Sequence, residues 1–168
     1  ENRLLGVGDG LKVTQIRLGT ARLTHCMRWL GLSKRCLEEA SAYVAHRMSF
    51  GQTLAAHEGV QWMLGDVAKD IQIGRLLTMQ AAWKLDQGDF ARSDISIAKI
   101  HAADTLHKAA DTAIQLLGAR GYSKDTIVEW IYRYARQARL VDGASEIHKM
   151  VLSRAYLSEG QDFFRWGV

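Results

Sequence analysis

Apolar residues recur at every third or fourth position along most of the chain, a spacing that places them on one face of a helix. The pattern predicts five helices, over 13–48, 54–86, 90–117, 123–140 and 145–159. The apolar stripe of the first helix consists of Leu23, Met27, Leu30, Leu37, Ala40, Val44 and Met48. The stripe of the third helix is rich in small residues and consists of Ile95, Ala98, Ala102, Thr105, Ala109, Ala113 and Leu116. No segment shows the alternation that indicates a strand.

Short connections that contain glycine separate these predicted helices, at Gly51, Gly88, Gly118 and Gly143. Three helices of about 30 residues joined in this way favour antiparallel packing. The predicted fold is therefore all-α, an antiparallel up-and-down four-helix bundle with a short extra C-terminal helix, over 13–160. We expect 1–12 to be a linker or the end of a preceding domain. The aromatic tail, 161–168, is either an interface segment or a frayed end.

Composition supports a chain made mostly of helix interiors. The 168 residues contain no proline, whereas average usage of about 5% would give roughly eight. The net charge is +4, but charges of both signs alternate and form no long basic run. This pattern favours a solvated bundle surface over a nucleic-acid interface.

The remaining chemistry-bearing residues exclude several kinds of site. Cys26 and Cys36 lie on one predicted helix, about 15 Å apart, too far to form a disulfide with each other. His101 and His107 are six residues apart and do not share a helix face, so we predict no metal site. The sequence has no signal peptide and no apolar run long enough for a transmembrane segment. The chain begins with Glu1 rather than Met, and we interpret it as part of a longer protein.

Several local patterns occur in an informative order. They are Arg47-Met48-Ser49-Phe50-Gly51, Ala81-Ala82-Trp83, Ser96-Ile97-Ala98-Lys99, Ala113 to Tyr122, and Asp142-Gly143-Ala144-Ser145-Glu146-Ile147-His148. Their order and spacing over about residues 1–158 resemble the C-terminal helical domain of the acyl-CoA dehydrogenases. The segment around Arg22 and the Asp142 loop are most similar to the subgroup of family members ten and eleven, which handle hydroxylated or branched acyl chains.

The resemblance implies a flavoenzyme that holds FAD between a β-domain and this bundle, with a neighbouring subunit completing the site. Residues 1–12 would then end the β-domain. The implied reaction is α,β-dehydrogenation of an acyl-CoA thioester, in which a carboxylate removes the α-proton and hydride passes to flavin N5. Implied partners are the acyl-CoA substrate, an electron acceptor such as electron-transferring flavoprotein, and further copies in a homodimer or homotetramer. The implied location is intracellular: cytoplasmic in a bacterium, mitochondrial or peroxisomal in a eukaryote.

Asp142 occupies the place at which family members carry their glutamate base. A base must be held close to the weakly acidic α-C–H and be partly desolvated. From the residues alone, a helix N-cap or turn residue before Gly143 is the favoured interpretation of Asp142, and it is the resemblance that favours a base. The resemblance also implies that Arg22 and Gly143 lie at the substrate. From the residues alone, Arg22 could be an ordinary surface arginine.

The resemblance implies three groups of FAD contacts. Arg47 and Phe50 match residues that contact the diphosphate and adenine side across a subunit interface, and an arginine suits a diphosphate. The second and third groups are Gln115, Gly118 and Ala119, then Ala144 and Glu146. Phe50 could instead be a packing residue, and Gly118 an ordinary helix C-cap.

Two departures from the family pattern leave alternatives open. Ala144 stands where relatives often have threonine, and Glu146 adds a negative charge where they often have glutamine. A second hypothesis is therefore a noncatalytic helical assembly domain with a decayed site. A third is a flavoenzyme similar to the nitroalkane oxidases, which use an aspartate base.

Overall fold

The computed structural model of the chain describes residues 6–165. Six α-helices account for most of this region. They are α1 Gly10–Val44, α2 Glu58–Asp86, α3 Arg92–Leu117, α4 Ala119–Tyr122, α5 Val128–Ala138 and α6 Ser145–Glu159. The predicted all-α fold is confirmed.

Helix α3 lies at the centre of the bundle. It packs against α1, α2 and α5, while α6 is the extra C-terminal helix and also packs on α3. All seven residues of its predicted stripe are buried. Because alanine dominates that stripe, neighbouring helices can approach α3 closely, and the main core forms around it.

The predicted stripe of α1 is partly wrong. Leu23, Leu30, Ala40 and Val44 are buried, but Met27 is 66% exposed. The core positions beside Met27 are filled instead by Cys26 and Trp29, both 0% exposed. Apolar character alone selected Met27, although it lies to one side of the face that contacts α2 and α3.

A small hairpin replaces the end of the first predicted helix. α1 ends at Val44, and strands β1 Met48–Ser49 and β2 Gln52–Thr53 pair antiparallel. Phe50 and Gly51 form the connecting turn with φ of 49° and 82°, as two-residue hairpin turns require. The expectations of no strand and of Met48 as a helical core residue are therefore wrong. Strands of two residues are too short to show an alternating pattern.

The segment after α3 also differs from the prediction. α4 adds one helical turn, and α5 begins at Val128 rather than at Ser123. Hydroxyl groups hold the intervening turns, since Ser123 Oγ accepts a hydrogen bond from Asp125 N at 3.2 Å and Thr126 Oγ1 accepts one from Val128 N at 3.4 Å. Such local bonds compete with helical ones and delay the helix.

The C-terminal tail folds back as a 3₁₀ helix, Gly160–Phe164, and Phe163 packs edge-on against Tyr156 with ring centroids 5.9 Å apart. Trp166 and residues 1–5 lie outside the described residues. Within residues 6–165, no helix combines the length and apolar character needed to cross a membrane. The same residues contain no group of three or more histidine, cysteine or acidic side chains suited to a metal ion.

Candidate active site

The loop between α5 and α6 contains a left-handed turn. Asp142 has a φ of 51° and Gly143 a φ of 99°. Aspartate tolerates this conformation better than most residues, and glycine adopts it freely. A Cβ on Gly143 would also lie 3.1 Å from His148 Nε2. The sequence of this turn therefore fits both its backbone conformation and its close contact with α6.

Arg22 fixes the first residue of this turn from α1. Its Nε donates a hydrogen bond to the main-chain oxygen of Asp142 at 2.9 Å. Burial lowers the pKa of Arg22, while the charge of Asp142 acts in the opposite direction. The structure thus brings together Arg22, Asp142 and Gly143, which the sequence singled out as catalytic and substrate-side residues.

Lys99 fixes the second residue of the turn from α3. The side chain is 0% exposed, and Nζ donates a hydrogen bond to the main-chain oxygen of Gly143 at 2.7 Å. Nζ also lies 5.7 Å from the ring centroid of Trp29, within the range of a cation–π interaction. Burial lowers the pKa of the Lys99 ammonium. A buried cation is held here by a carbonyl and an aromatic ring.

His148 supports the turn from α6. Its Nδ1 lies 3.0 Å from Ser96 Oγ, and its Nε2 lies 3.4 Å from the main-chain oxygen of Asp142. Burial is the main reason why the pKa of His148 is lowered, and the nearby charges of Arg22 and Lys99 act in the same direction. Neutral imidazole is therefore favoured at this position.

His25 contacts the carboxylate itself. Its Nε2 is 3.0 Å from Asp142 Oδ2, and the two side chains are 20% and 23% exposed. The imidazole is stacked on Trp29 with ring centroids 5.2 Å apart. The Asp142 carboxylate is thus partly shielded from water and has a fixed neighbour, which suits a group that takes a proton from a bound molecule.

No role is predicted from the sequence for His25, Lys99 or His148. Lys99 carries a usable signal, because it follows Ile95 by four residues and so falls on a predicted buried face of α3. A charged residue on such a face requires a partner. His25 and His148 carry no comparable signal, since Asp142 is far from His25 in the sequence and Ser96 is far from His148.

The predicted FAD contacts at Arg47, Phe50, Gln115, Gly118 and Ala119 lie at the other end of the bundle. α1 and α3 run in the same direction, so the hairpin after α1 and the end of α3 share one end. That end is roughly 30 Å from Arg22 along α1, at 1.5 Å per residue. All five residues are exposed to solvent, and Phe50 is 96% exposed.

Ala144 and Glu146 lie at the start of α6, next to the Asp142 turn. Ala144 is the N-cap residue of α6 and provides no side-chain cap. The Glu146 carboxylate is 68% exposed and lies 3.7 Å from a guanidinium nitrogen of Arg139. Ser145 Oγ is buried and has no hydrogen-bond partner among the described residues.

These features define an all-helical domain with one polar site centred on a carboxylate. The chain belongs to the acyl-CoA dehydrogenase family, because the family model "Acyl-CoA dehydrogenase, C-terminal domain" matches residues 8–157. The family resemblance seen in the sequence is therefore confirmed.

Individual relatives agree with this assignment. The chain is 37% identical over 162 residues to "Probable acyl-CoA dehydrogenase IBR3" of Arabidopsis thaliana, covering 92% of the chain and 20% of that protein. It is 34% identical over 155 residues to "Acyl-CoA dehydrogenase family member 11" of Gallus gallus, covering 91% of the chain and 20% of that protein. A solved glutaryl-coenzyme A dehydrogenase in complex with glutaryl-CoA is 31% identical, with a TM-score of 0.89, covering 98% of the chain and 42% of that structure. The chain thus spans 20% of the length of each of these two proteins and 42% of the solved structure.

Proposed function

We propose that this chain is the C-terminal domain of an FAD-dependent acyl-CoA dehydrogenase in which Asp142 removes the α-proton of an acyl-CoA thioester. The observation that carries the proposal is the Asp142 turn. Asp142 has a positive φ, side chains from three helices contact the main-chain oxygens of Asp142 and Gly143, and His25 contacts the half-buried carboxylate. A surface N-cap or turn residue needs no such set of contacts. A base needs them, because proton transfer depends on where the carboxylate lies.

Each neighbouring side chain has a distinct task in this proposal. Arg22 and Lys99 hold the main-chain oxygens of Asp142 and Gly143 and so fix the direction in which the base points. Gly143 allows the turn to lie against His148.

The residues proposed to hold FAD suit such a cofactor. Arg47 is exposed and offers a guanidinium to a diphosphate. Phe50 presents an exposed ring at the tip of the hairpin. Gly118 has nothing within 4 Å of an added Cβ, which leaves its backbone open to a ligand. FAD, when bound, would accept hydride from the β-carbon of the substrate.

The distribution of these residues supports a shared site. Arg47, Phe50, Gln115, Gly118 and Ala119 are roughly 30 Å from the Asp142 turn. We infer that they contact a cofactor whose reactive end lies at the turn of a neighbouring subunit, in a homodimer or homotetramer. Ala144 and Glu146 would lie beside the cofactor at the chain's own turn, where Arg139 offsets the charge of Glu146.

Asp142→Asn in the full-length protein tests the proposal. The amide keeps the shape of the side chain but cannot accept the α-proton. We expect FAD to remain bound, while bleaching of the flavin by a saturated acyl-CoA is lost in an anaerobic absorbance measurement. Normal bleaching by the variant would contradict the assignment of Asp142 as the base.

The alternatives give different results in the same preparation. A full-length protein that contains no flavin and takes up none would indicate the noncatalytic assembly domain. Oxygen consumption with nitroalkanes, together with no response to acyl-CoA, would indicate the nitroalkane oxidase reaction.

A further inference from the structure

His25 differs from the other polar neighbours of the Asp142 turn because it contacts the side chain. Arg22, Lys99 and His148 lie against main-chain oxygens of the turn, whereas His25 Nε2 is 3.0 Å from Asp142 Oδ2. His25 therefore acts on the group that is proposed to react. The second carboxylate oxygen, Oδ1, takes no part in this contact.

The His25 ring has a fixed orientation. It stacks on Trp29 with an angle of 22° between the ring planes, and Trp29 is itself 0% exposed. Two rings in this arrangement restrain each other, since one is fully enclosed by the core. The direction of Nε2 towards Asp142 is thus set by packing as well as by charge.

The surroundings of the ring favour one tautomer. His25 Nδ1 is buried and has no hydrogen-bond partner among the described residues. A hydrogen on that nitrogen would lose its hydrogen bond to water and gain none in return. The tautomer that carries its hydrogen on Nε2 and donates it to the carboxylate satisfies this constraint.

We propose that His25 is a positioning residue for Asp142. The proposal rests on the proposed function. By donating Nε2–H to Oδ2, His25 holds the side chain so that Oδ1 faces the substrate.

The test compares two variants of His25 in the full-length flavoprotein. His25→Gln places an amide N–H near the position of Nε2, and His25→Leu removes the donor. The measurement is the anaerobic rate of flavin bleaching after mixing with octanoyl-CoA and, separately, palmitoyl-CoA. His107→Leu is the matched control, because His107 also has a buried, unpartnered Nδ1 but belongs to α3 and packs on Tyr132.

A second readout isolates proton removal. A 3-oxoacyl-CoA has an acidic α-proton but undergoes no hydride transfer, so the ultraviolet absorbance of its enolate reports the base alone. We expect His25→Leu to slow flavin bleaching roughly tenfold to a hundredfold, with a smaller change in KM, and to reduce enolate formation. We expect His25→Gln to restore most of the rate, because its amide N–H can still donate to Oδ2.

The outcomes separate this inference from the proposed function. If bleaching by His25→Leu stays within about twofold of the wild type, or if His25→Gln bleaches no faster than His25→Leu, the role of His25 is overturned while Asp142→Asn can still confirm the base. If the wild-type flavoprotein responds to neither thioester and Asp142→Asn changes nothing, the proposed function fails and this inference fails with it. His107→Leu should match the wild type in rate.

Discussion

Lys99 shows how one buried side chain can serve the site at a cost to folding. Its ammonium is 0% exposed and is held by a carbonyl oxygen rather than by a close carboxylate. Burial of a charge without a paired opposite charge opposes folding. The hydrogen bond to Gly143 favours the folded turn. Burial of the charge therefore lowers the stability of the fold, whereas the hydrogen bond raises it and also holds the turn in place.

We therefore expect Lys99→Met to lower activity while the stability of the fold changes little. The free energy of unfolding should change by no more than about 1 kcal/mol, because the lost hydrogen bond and the relieved charge offset each other. The rate of flavin bleaching should fall roughly tenfold or more, since the Asp142 turn loses one support. Thermal unfolding and anaerobic mixing of the full-length protein measure the two quantities.

Lys108→Met is the matched control for that experiment. Lys108 is on the same helix, exposed, and paired with Asp70 at 2.7 Å. Exposed pairs contribute about 1 kcal/mol or less, so neither quantity should change greatly. A bleaching rate for Lys99→Met equal to that of Lys108→Met would contradict the supporting role of Lys99.

His148 gives a pH dependence of stability whose sign follows from its lowered pKa. The folded state binds the His148 proton less readily than the unfolded state, whose pKa is near the ordinary 6.5. The contribution of neutral His148 to stability is complete above pH 6.5 and decreases as the pH falls below that value towards the folded pKa. We expect His148→Gln to lose less stability than the wild type between pH 7.5 and pH 5. Denaturant unfolding at the two pH values measures the difference.

An exposed histidine provides the comparison for this pH effect. His46 lies in the exposed connection after α1, so His46→Gln should keep the wild-type loss of stability. If His148→Gln and the wild type lose the same free energy of unfolding on acidification, His148 is not the group responsible.

The two cysteines are buried, and we expect their thiols to be unreactive in the folded chain. Burial raises the pKa of Cys26 and of Cys36 to about 12, and the thiolate is the reactive form. At pH 8 we expect a thiol reagent to label neither residue in the folded chain and both after unfolding in guanidinium chloride. Rapid labelling of the folded protein, read by mass spectrometry, would show that the α1 core opens readily.

At the level of elements, long periodic stripes were predictable and short irregular segments were not. The stripe of α3 is correct because alanines at helical spacing leave no other buried face. The hairpin at 48–53 was missed because its strands are two residues long. Its turn, Phe50-Gly51, requires a positive φ at a phenylalanine, which no local propensity suggests. The Asp142 cluster could be foreseen only in part, since its side chains come from α1, α3 and α6 and meet through the fold.

The contact between α4 and the end of α3 depends on a glycine. A Cβ on Gly121 would lie 2.9 Å from Ile114 Cα and 2.8 Å from Leu117 Cβ. Because one of these atoms belongs to the backbone, the two helices would have to move apart. We expect Gly121→Ala to lower the free energy of unfolding by about 1–3 kcal/mol, as measured by denaturant titration.

Gly65→Ala in α2 is the control for this steric argument. Nothing lies within 4 Å of a Cβ on Gly65, so the substitution should stabilise the helix by up to about 1 kcal/mol. Equal effects of the two substitutions would mean that helix propensity, rather than close packing of α4 on α3, decides the result.

For the molecule as a whole, the two proposed ligand regions lie at separate ends of the bundle. The end that carries Arg47 and Gly118 does not enclose a cofactor by the described residues alone, since both residues are exposed. We therefore expect the isolated chain to bind FAD weakly and to have no dehydrogenase activity. Equilibrium dialysis with FAD and an assay with an artificial electron acceptor test both statements. Turnover by residues 1–168 alone would contradict the shared site.

The left-handed turn at Asp142 also constrains how this site can change during evolution or in the laboratory. A glutamate at position 142 would extend the carboxylate by one methylene, but it adopts a positive φ less readily than aspartate does. A longer reach would then come with a less stable loop. Variants with altered reach should accumulate through pairs of substitutions, one at the carboxylate and one that relaxes the turn, and single exchanges should be selected against.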